Sequence, residues 1–223
     1  MKIVVLTALL FSLSSGPLLA DKETDDRLAE AAKAFNEIMA VPDKGIPTPI
    51  LNKAECVVIV PGMKKGGFIV GGSFGRGAVA CRNKDRAGWS APAMIELGGG
   101  SVGLEIGAAS TDVVMLIMDR ATVDSLLKSK FTLGSDASVA AGPVGKADTD
   151  LSITAKVLSY SRTKGAFAGV ALSGTSIGQD EGANKAVYGK ELDSKQILFG
   201  TITPPPAAKP LEQALTKYSP KGT

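Results

Sequence analysis

The chain contains no histidine among its 223 residues, and this absence removes more chemistry than any motif supplies. Serine–histidine–acid and cysteine–histidine catalysis both need an imidazole, as do the commonest zinc sites. Two cysteines, Cys56 and Cys81, are too few for a four-thiolate metal site within one chain. Net charge is +3, with 25 basic residues scattered among 22 acids, which gives no electrostatic footprint for a nucleic acid partner. No P-loop pattern occurs, and no cofactor is implied. The apolar run Ile3–Leu13 is too short to cross a bilayer core of about 30 Å as a helix.

What is abundant is glycine, 26 residues, nearly twice the average share of about 7%. Glycine weakens helix interiors and suits turns and bulges. With 44% hydrophobic residues the chain is long enough for one good-sized core. The N-terminus has the layout of a secretory signal: Met1-Lys2, the apolar run, Ser14-Ser15-Gly16-Pro17, then Ala20 before acidic Asp21. A signal peptide over 1–20 is therefore expected, and an uncleaved buried helix is the alternative. Leu18 stands where a small residue usually precedes cleavage, and no cysteine follows for lipid anchoring. Export, to a periplasm or out of the cell, would let a Cys56–Cys81 disulfide persist. Two buried free thiols remain open as the other reading.

Residues Asp21–Ala40 predict an amphipathic helix with Leu28, Ala32, Phe35 and Met39 on one face, packed on its own domain. Thr48 is expected to cap a short helix through Lys53, with Pro49 at its first position. Cys56–Val60 is a β-branched run stopped by Pro61-Gly62, and Met63–Gly66 reads as a hairpin tip. Strands are expected over Phe68–Phe74, Ala78–Arg82, Trp89–Leu97, Val102–Ile106, Val113–Met118, Leu151–Tyr160 and Phe167–Leu172, with Gly98–Gly100 as a divider. Helices are expected over Ala121–Lys128, Asp180–Tyr188 and Leu211–Tyr218. The whole predicts one α+β domain, mainly an antiparallel sheet, barrel- or sandwich-like, with short flanking helices. Its limits are 21–203, followed by a Pro-rich segment and tail over 204–223.

Gly98–Gly103 matches G-x-G-x-x-G, but alternation of Val102, Leu104 and Ile106 follows it rather than the helix a dinucleotide needs. Glu55, Glu96, Glu105 and Asp112 sit on predicted strands, and a facing pair would give an acid–base hydrolase. Basic residues beside glycine turns are more suggestive: Lys64, Lys65, Arg76, Lys146, Arg162 and Lys164. Exposed backbone N–H groups next to a cation can cradle phosphate oxygens. The competing reading is that these lysines keep hairpin turns soluble and blunt strand edges.

Ordered blocks across Ile46–Gly189 resemble the SYLF domain. They are Ile46-Pro47 with Leu51 and Ala54, Lys65-Gly66-Gly67-Phe68 with Gly71, Trp89-Ser90-Ala91-Pro92, Asp112, Ala141–Gly145, Tyr160–Val170, Asn184 and Tyr188-Gly189. The resemblance implies a non-enzymatic module that binds anionic phospholipids, phosphoinositides in eukaryotic members, and actin in yeast relatives. The signal-like start is similar to the bacterial exported branch of that family. It argues against actin as a partner and for a peripheral role at an envelope membrane. A protein-interaction module without lipid specificity is the alternative.

Overall fold

The computed structural model describes residues 17–41, 44–67, 70–102, 109–128, 131–144, 154–163, 166–167 and 172–223. Most of the expected signal segment, together with Lys146, Lys164 and Glu105, lies outside the described residues. Strands β1 (Cys56–Gly67), β2 (Val70–Cys81), β3 (Ala93–Val102) and β4 (Ala109–Ile117) form its centre. β5 (Phe131–Thr132), β6 (Val139–Ala141), β7 (Val157–Thr163), β8 (Ala166–Phe167) and β9 (Ser176–Gln179) extend it. The order is β5-β9-β3-β2-β1-β4-β7-β6, with β8 on β7, and every pairing is antiparallel except β6 with β7. The sheet curls into a half-barrel.

Both faces of this sheet are covered. Val57, Ile59, Ala78, Ala80, Met94, Val114, Leu116, Leu158 and Tyr160 meet α1 (Pro17–Met39), α2 (Thr48–Lys53) and α6 (Lys209–Tyr218). Val58, Val60, Val79, Ile95, Val113, Met115 and Ile117 meet α3 (Arg120–Leu126) and α5 (Ser194–Phe199). Antiparallel strands usually alternate apolar with polar because one face is wet. Here both faces are dry, so the central strands read as unbroken apolar runs. α4 (Glu181–Tyr188) begins at Asp180, whose side chain accepts from the Ala183 backbone N–H.

Several expected boundaries move. Pro61-Gly62 does not stop the first strand and Met63–Gly66 is not its tip, because β1 continues to Gly67. The pair forms a bulge, visible as a register shift against both β2 and β4. Gly62 has φ +57°, which suits glycine, and its N–H donates to Asp112 Oδ1 at 2.9 Å. The two strands expected across Phe68–Arg82 are the single β2. A Cβ on Gly77 would come within 2.0 Å of the Ile59 carbonyl oxygen, so β2 can pass the bulge only without a side chain there. Gly98–Gly100 divides nothing, since β3 runs through it with β2 on one side and Gly98 paired to β9 on the other. Pro47, not Thr48, occupies the cap position of α2. Among the described residues no helix is long and apolar enough to cross a membrane.

Candidate functional site

The inward alternation on the α1 face sets the site. Beyond Ala78 on β2, the same face carries Arg76 and Phe74, and register places Phe74 opposite Lys64 on β1. Lys64 lies opposite Ser110 on β4, and Asp112 opposite Arg162 on β7. Four neighbouring strands thus present one polar band past the end of the core, with α1 lying along it.

Phe74 is 51% exposed, one of two large apolar residues so exposed among the described residues. The Arg76 guanidinium lies 5.6 Å from its ring centre. Arg76 is 45% exposed, 3.5 Å from Glu23 on α1 and 3.8 Å from Asp180. Arg162 is more enclosed, at 17%, paired with Glu37 of α1 and 3.5 Å from Asp112. Lys64 donates to Ser110 Oγ at 3.1 Å and has no ion-paired carboxylate among the described residues. Glu30 lines both clefts that flank Lys64, one shared with Arg76 and Phe74, the other with Asp112 and Ser110. Buried Arg27 on α1 ties the band to α4, donating to Asp180 at 2.9 Å and Glu23 at 3.2 Å.

Of the six expected headgroup cations, Lys64, Arg76 and Arg162 therefore share one face. Lys65 follows on β1, where its backbone alone is described. The three expected carboxylates among the described residues, Glu55, Glu96 and Asp112, do not converge. Glu96 lies opposite Arg76 on β3 and Asp112 is on β4, with β2 and β1 between them. Three inter-strand spacings separate them, about 14 Å in the sheet. Glu55 is held by Arg86 at 2.6 Å. Among the described residues, Glu55, Glu96 and Asp112 form no acid–base pair with one another.

The tryptophan block has a different role. Arg82 is 3% exposed and stacks 3.7 Å from the Trp89 ring centre. Its guanidinium donates to the carbonyl and hydroxyl oxygens of Ser219, and Trp89 Nε1 donates to the same carbonyl at 3.0 Å. Burial, helped by the neighbouring Arg86 charge and opposed by Glu55, pulls the Arg82 pKa down to about 10. Ser90 Oγ accepts from the Cys81 N–H at 3.0 Å, and Cys81 is disulfide-bonded to Cys56 directly opposite it. Asn184, fully buried, accepts from the Met94 N–H at 2.7 Å, and the Tyr188 hydroxyl donates to the Pro92 carbonyl at 2.6 Å. These blocks hold the fold together.

Sequence reasoning missed the α1 acids of the band. Glu23, Glu30 and Glu37 repeat every seven residues, a signal visible in the sequence. Arg82 gave no local signal, because its partner Ser219 lies 137 positions away.

Comparison with known proteins adds a second line. Residues 98–218 match a family described as Las17-binding protein actin regulator, Ysc84. The chain is 34% identical to Protein YSC84 of Saccharomyces cerevisiae over 203 residues, which is 87% of this chain and 43% of that one. It is 37% identical to LAS seventeen-binding protein 3 of the same yeast, over 78% of this chain and 39% of that one. It is 32% identical to SH3 domain-containing YSC84-like protein 1 of Bos taurus, over 90% and 60%. The chain spans roughly two fifths to three fifths of these relatives.

Proposed function

The chain belongs to the Ysc84 family, and from that premise we propose that it is a non-enzymatic module that docks on anionic phospholipid headgroups through the Lys64–Phe74–Arg76 end of the band. The observation that carries the reading is Phe74, half exposed between two cations on adjacent strand positions. An aromatic ring with flanking cations suits a lipid interface, where the ring enters the headgroup layer and the cations meet phosphate. Each cation near such a surface contributes on the order of 1 kcal/mol, so binding needs several together and weakens with salt.

Co-sedimentation with phosphatidylcholine vesicles, with and without phosphatidylserine, tests it. Binding should require the anionic lipid, fall at high salt, and fall again in Lys64→Ala/Arg76→Ala/Phe74→Ala. Soluble glycerophosphoserine at matched concentration should leave the protein on the vesicles; release would assign the site to a free phosphate ligand. Binding unchanged in the triple variant would remove this face from the reading.

Export is part of the same proposal. The Cys56–Cys81 pairing suits an oxidising compartment, and the sequence over 1–20 has the signal layout. Protein isolated from an expressing cell should begin at Asp21 by intact mass. Retention of Met1 would contradict it. A second reading, a protein-binding module acting on actin or its regulators, is favoured by the family description itself. Pelleting with actin filaments in the absence of lipid would support that reading over the first.

A further inference from the structure

The band is not a bare cationic surface, because two of its cations pair with glutamates of α1 and a third glutamate lines the clefts around Lys64. Glu23, Glu30 and Glu37 are seven residues apart, and seven residues turn an α-helix to within about 20° of two full turns. They therefore form one stripe along α1. The stripe crosses the strands in order. Glu23 reaches Arg76 on β2, Glu30 lines the clefts around Lys64 on β1, and Glu37 pairs with Arg162 on β7. Two carboxylates thus pair with cations of the sheet, and the third lies in the clefts beside Lys64.

The geometry points to the α1 glutamate stripe as an internal competitor of anionic headgroups: Glu23 and Glu37 occupy Arg76 and Arg162, Glu30 adds negative charge to the clefts around Lys64, and together they hold the resting affinity down. This rests on the headgroup reading above. The helix itself is fixed, since Leu28, Phe35 and Ile38 are fully buried beneath it. What gives way is the side chains. Glu23 is 67% exposed and Glu37 36%, so either can swing to solvent as a phosphate oxygen takes its place. Asp112 and Asp180 remain behind as fixed partners of Arg162 and Arg76. Lys64 keeps its hydroxyl partner and no carboxylate among the described residues, which makes it the first cation available to an arriving headgroup. The device sets a threshold: a surface of low anionic charge loses to the glutamates, and a dense one wins.

The test compares Glu23→Gln/Glu30→Gln/Glu37→Gln with a charge-matched control, Asp85→Asn/Asp124→Asn/Glu191→Gln, whose residues are exposed and away from the band. Each is titrated with vesicles of increasing phosphatidylserine content, after thermal melts establish that both are folded. The stripe variant should bind at least fivefold tighter than the control and at a lower phosphatidylserine fraction. Equal gains in both would reduce the effect to net charge and overturn the inference while leaving headgroup binding intact. A stripe variant that binds no tighter than the unmodified protein would overturn it as well. Failure of the unmodified protein, the stripe variant and the control to bind any vesicle would overturn the headgroup reading and this inference with it. Binding by the stripe variant alone would be its strongest support.

Discussion

Two arginines six positions apart, one on β2 and one just past its end, live opposite lives. Arg82, just past the closed end of β2, is buried, stacked on Trp89 and donates to both oxygens of Ser219. Arg76, six positions earlier, is half in solvent beside an exposed Phe74 and shares loose contacts with Glu23 and Asp180. Both are cation–aromatic pairs. At the closed end the pair is locked by hydrogen bonds to residues that are distant in sequence, so it serves architecture. At the open end the cation keeps unused donors and the ring keeps an unused face, so the pair is available to something else. The Trp89-Ser90-Ala91-Pro92 block lies at the closed end, which shows that a recognisable motif can mark the frame rather than the working surface.

The widest separation between the two ends should appear in stability. Trp89→Ala removes a large core ring and the cover of a buried cation, and should cost about 3–5 kcal/mol in a denaturant melt. The same change should leave vesicle binding of the folded protein unaltered. Opening the Cys56–Cys81 bond next to it, by reduction or by paired alanines, should cost about 2–4 kcal/mol. The fall in Tm with reductant checks this. If either change weakened vesicle binding as much as it weakened the fold, the two ends would not be separable.

At the open end the sign reverses. Lys64→Ala with Arg76→Ala should move stability by less than about 1 kcal/mol, because exposed ion pairs contribute little. It should weaken partitioning onto anionic vesicles about tenfold or more.

A smaller effect sits at the edge between the ends. The Tyr160 hydroxyl is buried with no hydrogen-bond partner among the described residues. Tyr160→Phe should therefore be neutral or slightly stabilising. Burial also raises the Tyr160 and Tyr188 pKa values, with Glu212 adding to the shift of Tyr188. A raised folded pKa means a contribution that is complete below the ordinary phenol value of about 10 and is lost as pH rises above it. Melts across that range should show stability falling with pH, less steeply in Tyr160→Phe.

The central sheet was legible because β-branched runs such as Cys56–Val60 and Val113–Met118 admit little else. The bulge and the triple glycine were not, since their usual reading as breakers assumes a free edge; here β2 and β4 hold the bulge from both sides, and β2 pairs with all three glycines while β9 pairs with Gly98. α5 went unread although Asp193 and Gln196 form a capping box at its start. For the band, the cations were legible as residues beside glycines, and the structure brings Lys64, Arg76 and Arg162 onto one face. Their opposing acids were not foreseen, because the glutamate repeat acquires meaning only once α1 is laid across the strands.

The most direct test of the account is the salt dependence of binding to phosphatidylserine vesicles, measured for the unmodified protein beside Lys64→Ala/Arg76→Ala. The account predicts tight binding at low salt, a steep loss as salt rises, and a shallower slope in the double variant. Equal slopes and equal affinities for the two proteins would contradict it, and would leave the open end of the band without its assigned partner.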